Sequence, residues 1–200
     1  LTATATPKVL EDIKLKLGFT QYQIFRKSFK RENISIFIDE VADKYQRVLD
    51  LLKHNQNSGI IYTRTRKEAE NLTEFLQKNK LKNVDFFHAG LSVKEKHQKQ
   101  EKWLKSNQNI LISTNAFGMG IDKENVRFVI HLSPAPSLEN YYQEIGRAGR
   151  DGEKSYAFLL WNEQELLNLD DVFYNQTPSK SEFLKVISYL YSTFMIAENE

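Results

Sequence analysis

The stretch "GIIYTRTRKEAENLTEFLQKNKLKNVDFFH", residues 59–88, predicts a strand, a helix and a second strand in succession. Its ends, at 59–63 and 84–88, are rich in β-branched and aromatic residues, and the intervening stretch at 67–79 fits a helix. The pattern recurs, with further strands predicted at 34–38, 109–114, 126–131 and 155–161 and further helices at 41–54, 93–106 and 138–145. Strands that alternate with helices predict an α/β fold, in which a mainly parallel β-sheet is sandwiched by helices.

The two ends of the chain have a different character. A helix is predicted from Pro7 to Gly18, because proline favours the first helical turn and glycine favours the residue after the last. Residues 19–33 fit a connector. Residues 163–200 predict a short helical C-terminal extension, which ends in an apolar stripe suited to packing and formed by Phe183, Val186, Ile187, Leu190 and Phe194.

Composition sets the class of protein. The chain has 200 residues, 40% of them hydrophobic, which suits one domain with a small appendage. The net charge is +2, and acidic residues concentrate after residue 162, so that the body is moderately basic. A basic body favours a polyanionic partner, although a solvated lysine-rich surface is the simpler explanation of the charge alone.

The sequence argues against disulfides, zinc sites, membrane-spanning segments and a signal peptide. No cysteine is present, which excludes disulfides and thiolate zinc sites, and the four histidines lack metal-ligand spacing, so no zinc is expected. No apolar run is long enough to span a membrane, and the first residues do not form a signal peptide. We therefore expect a cytoplasmic protein, associated with the nucleoid if the source is bacterial.

"QEIGRAGRDG", residues 143–152, carries the strongest chemical signal. Arg147 and Arg150 present planar guanidinium groups that match phosphate oxygens, and Gly146 and Gly149 would let a ligand or another lobe approach. Arginines beside a nucleotide γ-phosphate accelerate hydrolysis by about 10³ to 10⁵ in NTPases. The alternative is a pair of surface salt bridges to Glu144, Asp151 or Glu153.

"STNAFGMGID", residues 113–122, follows a predicted strand. Ser113, Thr114 and Asn115 can donate hydrogen bonds to phosphate oxygens, and the glycines at 118 and 120 allow close approach of backbone amides. Asp122 suits a ribose hydroxyl or a basic partner. An ordinary glycine turn, with Asp122 as a helix cap, fits the same residues.

Two further strand ends carry polar residues. Thr63 and Arg64 precede Thr65, which is predicted to be a helix N-cap because Glu68 follows three residues later. The start of such a helix can bind a phosphate, or its hydroxyl can serve only to cap the helix. His88 opens "HAGLS", and a lone histidine after a strand is typical of a structural role. The lysine-rich helix at 93–106 is a solvated face that can attract DNA.

Taken in order, these stretches resemble the RecQ family of ATP-dependent DNA helicases. The resemblance covers residues 1–162 and runs through "LTATAT", "SFKRENI", "SGIIYTRTRKEAENL", "HAGLS", "STNAFGMGIDKENVRFVIH" and "SLENYYQEIGRAGRDG". Gln143 and Glu144 stand where the RNA-directed DEAD-box relatives usually carry a histidine and an arginine. The resemblance therefore favours RecQ over those relatives.

The resemblance implies two RecA-like lobes with ATP between them and single-stranded DNA across both. Residues 1–33 would end the first lobe and form the connector, and residues 34–162 would be the second lobe, a relative of P-loop NTPases. Arg147 and Arg150 would be catalytic arginine fingers, with Asp122, Gly120 and Gln143 near the ATP. The DNA-facing residues would be Thr63, Arg64, His88, Gly90, Ser113, Thr114 and Asn115, and interlobe coupling would fall to Thr2 and Thr4.

The same resemblance implies 3′-to-5′ unwinding of single-stranded or partly duplex DNA in repair and recombination. ATP and Mg²⁺ would be bound mainly by the first lobe, and a monomer is expected. The chain contains no GxxxxGK[ST] phosphate loop, so we expect a fragment of a longer enzyme that is inactive alone. Two alternatives stay open: a non-catalytic nucleic-acid-binding or interaction module with a RecA-like fold, and an RNA helicase lobe.

Overall fold

The computed structural model describes residues 7–18, 22–24, 30–53, 55, 57–115, 117 and 122–162. The chain divides into two compact units, residues 1–30 and 31–200. In the first unit, α1 (Pro7–Leu17) ends at Gly18, whose φ of +61° is the left-handed conformation that closes helices. This confirms the helix predicted from its proline and glycine. The predicted helical extension lies outside the described residues, and within them no helix is long and apolar enough to cross a bilayer.

The second unit alternates strands with helices as predicted. Its elements are β1 (Ile34–Glu40), α2 (Lys44–Lys53), β2 (Gly59–Tyr62), α3 (Arg66–Lys78), β3 (Val84–Phe87), α4 (Val93–Lys105), β4 (Ile110–Ser113), β5 (Phe128–His131), α5 (Leu138–Ile145) and β6 (Ser155–Trp161). The helix predicted at 41–54 begins later, at Lys44, because the Asp43 carboxylate accepts a hydrogen bond from the Gln46 amide at 3.0 Å. An aspartate in that position caps a helix and fixes where it starts.

Within the described residues, the six strands form one parallel sheet in the order β1-β6-β5-β2-β4-β3. The central strand β2 pairs with β4 on one side and β5 on the other, so that Tyr62 lies opposite both Ser113 and His131. The carboxyl ends of parallel strands meet at one edge, where ligands of such sheets usually bind. The topology thus brings the residues that follow β2, β4 and β5 together.

Helices cover both faces of the sheet. Ile60 and Tyr62 point into one hydrophobic core, which includes residues from α4 and α5, whereas Ile61 points into the other, which includes residues from α2 and α3. Successive residues of a strand face opposite sides, so one buried strand serves both cores. This explains the nearly continuous apolar runs of β2, β4 and β5, each buried along its whole length.

Candidate functional site

A cleft of about 230 Å³ lies at the carboxyl edge of the sheet. It brings together residues at or just beyond the ends of β2, β4 and β5 and one residue of α5. The lining residues are Tyr62, Thr63, Arg64, Asn115, His131, Ser133, Pro134, Ala135, Pro136 and Glu144. Three predicted DNA-facing residues, Thr63, Arg64 and Asn115, therefore share one concave surface although two of them lie far from the third in sequence.

The turn between β2 and α3 presents Arg64 to this cleft. The Thr65 hydroxyl accepts a hydrogen bond from the Glu68 amide at 3.1 Å, and the Glu68 carboxylate accepts one from the Arg64 amide at 2.9 Å. These bonds confirm the predicted N-cap and fix the turn. The Arg64 side chain is exposed, whereas Thr63 is buried and its hydroxyl lies 3.3 Å from the Thr65 carbonyl oxygen.

The end of β4 exposes only one of its three predicted polar residues. Asn115 is exposed, but Ser113 is fully buried and its hydroxyl donates to the Phe87 carbonyl at 2.7 Å. Thr114 is also buried. Two residues beyond Asn115, the Phe117 ring packs edge-on against Phe87 and Trp103 and anchors the backbone there. DNA contacts by Ser113 and Thr114 stay predictions, as does the role of Gly120, which lies outside the described residues.

His88 occupies a structural environment. It is 5% exposed, its Nε2 lies 2.8 Å from a Glu70 carboxylate oxygen, and its ring stacks on Phe86. Gly90, two residues on, is exposed, and a side chain there would meet the Arg66 guanidinium at 3.0 Å. Gly90 therefore leaves room beside an arginine, and its contact with DNA, like that of His88, stays a prediction.

The two arginines of "GRAGRDG" differ in their surroundings. Arg150 Nη1 lies 2.6 Å from Asp122 Oδ1, and the side chains of the two residues are 33% and 79% exposed. Arg147 is half-buried, and its positive charge acts on the Tyr62 phenol. Asp151, which the sequence offered as a partner for Arg150, pairs instead with Arg127.

Gly149 is required for packing within the domain. Its φ is +56°, and a Cβ there would come within 2.5 Å of Asn33 Nδ2 and 2.7 Å of the Glu153 carbonyl. The Gly149 carbonyl accepts hydrogen bonds from Arg31 Nη2 at 2.7 Å and Asn33 Nδ2 at 2.8 Å. Arg31 and Asn33 therefore hold the segment 146–150 that carries Arg147 and Arg150, called the arginine loop below. Sequence reasoning missed this role although both residues lie in the RecQ-like stretch "SFKRENI".

A buried polar pair lies beneath the cleft. His131 is 1% exposed, and its Nε2 lies 2.7 Å from a carboxylate oxygen of Glu144, which is also buried. The His131 ring stacks on Tyr62 with 5.1 Å between centroids and lies 4.9 Å from Tyr141. Glu144, one of the three partners in the alternative salt-bridge interpretation of the arginines, is therefore not on the surface, because its side chain points inward to a histidine. Strand periodicity buries His131 but gives no sign of its partner.

Three predicted site residues remain, namely Gln143, Thr2 and Thr4. Gln143 is exposed on α5, directly before Glu144. Thr2 and Thr4 lie outside the described residues. Within the ranges that the structure describes, no group of three His, Asp or Glu side chains is placed to hold a metal ion.

Burial raises the pKa of the Tyr62 phenol, and the nearby positive charge of Arg147 opposes that rise. The phenol therefore stays protonated at neutral pH and acts as a neutral hydrogen-bonding group. Burial also lowers the pKa of Lys123, the residue after Asp122, to about 8. Its amine donates to the Trp103 and Ser106 carbonyls at the end of α4, which fixes the chain beside Asp122.

Comparison with known proteins places this geometry in a family. Residues 43–152 match the model of the helicase conserved C-terminal domain. The chain is 39% identical over 168 residues to the ATP-dependent DNA helicase RecQ of Bacillus subtilis (strain 168), a match that covers 84% of this chain and 28% of the relative. It is 39% identical over 207 residues to the RecQ-like DNA helicase BLM of Xenopus laevis, with 100% of this chain and 15% of the relative covered.

A solved structure shares the fold. The structure of S. cerevisiae Dbp5 bound to RNA and ADP BeF3 superposes with a TM-score of 0.68 at 22% identity, over 96% of this chain and 53% of that one. This likeness confirms the predicted α/β, RecA-like fold. The chain spans less than a third of the length of the two curated relatives. Family model, relatives and parallel sheet agree, and the chain belongs to the helicase conserved C-terminal domain family, as the C-terminal lobe of a RecQ-type helicase.

Proposed function

We propose that this chain is the second motor lobe of an ATP-dependent DNA helicase, and that Arg147 and Arg150 are its arginine fingers. The observation that carries the proposal is the arginine loop itself. Arg147 and Arg150 follow α5 in a loop that Asn33 and Arg31 hold by its Gly149 carbonyl. Groups held in place in advance stabilise developing charge without reorganisation at the moment of reaction.

The two guanidinium groups fit a nucleotide triphosphate. Both carry charge at any relevant pH and donate in a planar fork that matches phosphate oxygens. During hydrolysis they would donate hydrogen bonds to those oxygens and balance the negative charge that grows there. Magnesium neutralises phosphate charge when bound. We assign Mg²⁺ and most ATP contacts to the rest of the longer protein, because this chain has no GxxxxGK[ST] loop.

The cleft at the carboxyl edge supports binding of single-stranded DNA. Arg64 and Asn115 are exposed on it and can donate to phosphate oxygens. Such contacts read the backbone rather than the bases, as movement along any sequence requires. By the RecQ relationship we further propose 3′-to-5′ polarity, roles in DNA repair and recombination, and action as a monomer in the cytoplasm.

The finger assignment is tested in the longer protein that contains this chain. Replacing Arg150 with alanine should lower the kcat of DNA-stimulated ATP hydrolysis by about 10³-fold or more while ATP binding is largely kept. Arg147→Ala should act likewise. The control is Lys154→Ala, which removes an exposed cation close to the same loop. Normal turnover by both arginine variants would remove the finger role.

Two further measurements test the proposed function. Residues 1–200 alone should hydrolyse ATP at a negligible rate with or without DNA. Robust DNA-stimulated hydrolysis by that polypeptide would contradict the proposal that most ATP contacts lie in the rest of the longer protein. In the longer protein, single-stranded DNA should stimulate hydrolysis more than RNA of equal length. Stronger stimulation by RNA would favour an RNA helicase.

A further inference from the structure

We propose that Glu144 is a positioning residue for Arg147: His131 holds the Glu144 side chain, and the Glu144 backbone in turn holds the amide of Arg147. The inference rests on the proposed function, because it presumes that Arg147 acts in ATP hydrolysis. It assigns to one buried pair, at the end of β5, the task of fixing the arginine loop against the sheet.

The side chain of Glu144 is bonded to the sheet. Its Oε2 lies 2.7 Å from Nε2 of His131, the last residue of β5. His131 is buried, and its ring lies against Tyr62 and Tyr141, with 5.1 Å and 4.9 Å between ring centroids. Among the described residues, His131 Nδ1 has no hydrogen-bond partner, so the imidazole depends on Glu144 for its polar contact. A ring confined in this way is a fixed anchor, because close-packed interiors do not relax freely.

The backbone of Glu144 leads directly into the arginine loop. Its carbonyl oxygen accepts a hydrogen bond from the Arg147 amide at 3.2 Å, and the Ile145 carbonyl accepts one from the Ala148 amide at 2.9 Å. Glu144 is thus bonded to β5 through its carboxylate and to Arg147 through its carbonyl. A movement of the last turn of α5 away from His131 would therefore also move the point from which the Arg147 side chain starts.

The helix α5 needs such an anchor because it is short. It has eight residues, and helices shorter than about 12 residues are marginal on their own, so tertiary contacts set their position. Ser137 caps the start of α5 by accepting a hydrogen bond from the Asn140 amide at 3.1 Å. Glu144 lies at the other end, where the loop begins. The loop is therefore held on both sides of Arg147, by Glu144 and by the Gly149 carbonyl.

The decisive experiment compares Glu144→Leu, His131→Phe and the double variant in the longer protein. Both replacements keep most of the buried volume, and phenylalanine keeps a ring beside Tyr62. Each single variant leaves one buried polar partner unpaired, whereas the double variant leaves none. Most of the unfolding free energy that the single variants lose should therefore return in the double variant, as measured by urea unfolding of residues 1–200.

Catalysis should not return with stability. The kcat of ATP hydrolysis should fall about 10- to 100-fold in all three variants, because each lacks the polar bond that places Arg147. The KM for ATP should stay within about twofold, since the arginine acts in the transition state. Hydrolysis is measured at saturating single-stranded DNA, because Glu144 also lines the cleft. Recovery of kcat together with stability in the double variant, or normal kcat in the single variants, overturns the inference.

Glu144→Gln should rescue hydrolysis. Glutamine keeps the length of the side chain and a carbonyl oxygen that accepts from the imidazole, so kcat should return to within about fivefold of the unmodified protein. A kcat as low as that of Glu144→Leu would contradict positioning by the hydrogen bond. Glu144→Gln and the double variant keep the test valid where a single apolar variant fails to fold.

Glu70→Leu is the matched control. Glu70 lies in α3 and pairs at 2.8 Å with Nε2 of the buried His88, which follows β3, three strands from β5 in the sheet. Its kcat should equal that of the unmodified protein, and an equal fall in Glu70→Leu and Glu144→Leu overturns the inference. If Arg147→Ala keeps normal hydrolysis, the proposed finger function fails. If Arg147→Ala is inactive and Glu144→Leu is normal, the finger function stands and only positioning by Glu144 fails.

Discussion

Arg150 Nη1 lies 2.6 Å from Asp122 Oδ1, and this contact joins two RecQ-like stretches that stand 28 residues apart in the sequence. Asp122 is 79% exposed, so water and salt screen the pair. An exposed ion pair contributes only about 0–1 kcal/mol to stability. Arg150 can therefore leave Asp122 for a phosphate at little cost to the fold.

A comparison with the Arg127–Asp151 pair tests whether Arg150 can leave Asp122 at little cost to the fold. Asp151 pairs with Arg127, whose side chain is only 16% exposed. In residues 1–200, Asp122→Asn should lower the free energy of unfolding by less than about 1 kcal/mol, whereas Asp151→Asn should lower it by about 1–2 kcal/mol. Urea unfolding measures both. A larger loss from Asp122→Asn than from Asp151→Asn would make the Arg150 pair a structural element.

Alanine substitutions at Gly149 and Gly152 separate the cost of backbone strain from the cost of steric overlap. Both have positive φ, +56° and +85°, but a side chain at Gly152 would meet nothing within 4 Å. Alanine pays about 1–2 kcal/mol for the left-handed conformation at either position. Gly149→Ala must also displace Asn33 and break its bond to the loop, so its total loss of unfolding free energy should exceed about 3 kcal/mol. Urea unfolding of the two variants compares them, and equal losses would contradict the packing role of Gly149.

Lys123 should give the fold a distinct pH dependence. Burial lowers its folded pKa to about 8, from the ordinary lysine value of 10.5. Between these two values the unfolded chain still binds a proton that the folded chain has released, so the free energy of unfolding rises with pH. Below pH 8 the lysine is charged in both states and adds no slope. A neutral amine also keeps two N–H groups, which match the Trp103 and Ser106 carbonyls.

The comparison is with Lys123→Met, which keeps the length of the side chain without the amine. The loss of unfolding free energy that this substitution causes should grow between pH 7.5 and pH 9.5, because other titrating groups cancel in the difference. Urea unfolding at several pH values measures that loss. A loss that is constant across this range would show that Lys123 stays charged in the folded protein.

How far the sequence predicts this domain depends on the range of each interaction. The strands and helices, the Gly18 helix end and the Thr65 cap could be predicted, because each depends on residues close together in the chain. The hydrogen bond from Asn33 to the Gly149 carbonyl joins residues 116 positions apart in the sequence. The pairing of His131 with Glu144 depends on how α5 packs on the sheet. Local patterns carry no information on such partners, so the support of the arginine loop emerged only from the fold.

Arg64 offers the last test, on the DNA side of the domain. It is exposed on the cleft next to the start of α3, whereas Lys78 lies at the opposite end of the same helix. If Arg64 contacts a phosphate, Arg64→Ala should weaken the binding of single-stranded DNA by residues 1–200 and reduce the slope of log K against log salt by about 0.7. Lys78→Ala removes one positive charge about 18 Å away along the helix and should leave the slope unchanged. Fluorescence anisotropy with a labelled oligonucleotide at several salt concentrations measures both. An equal change in the two variants would mean that only the overall charge of the domain attracts DNA, and that the cleft is not where the strand lies.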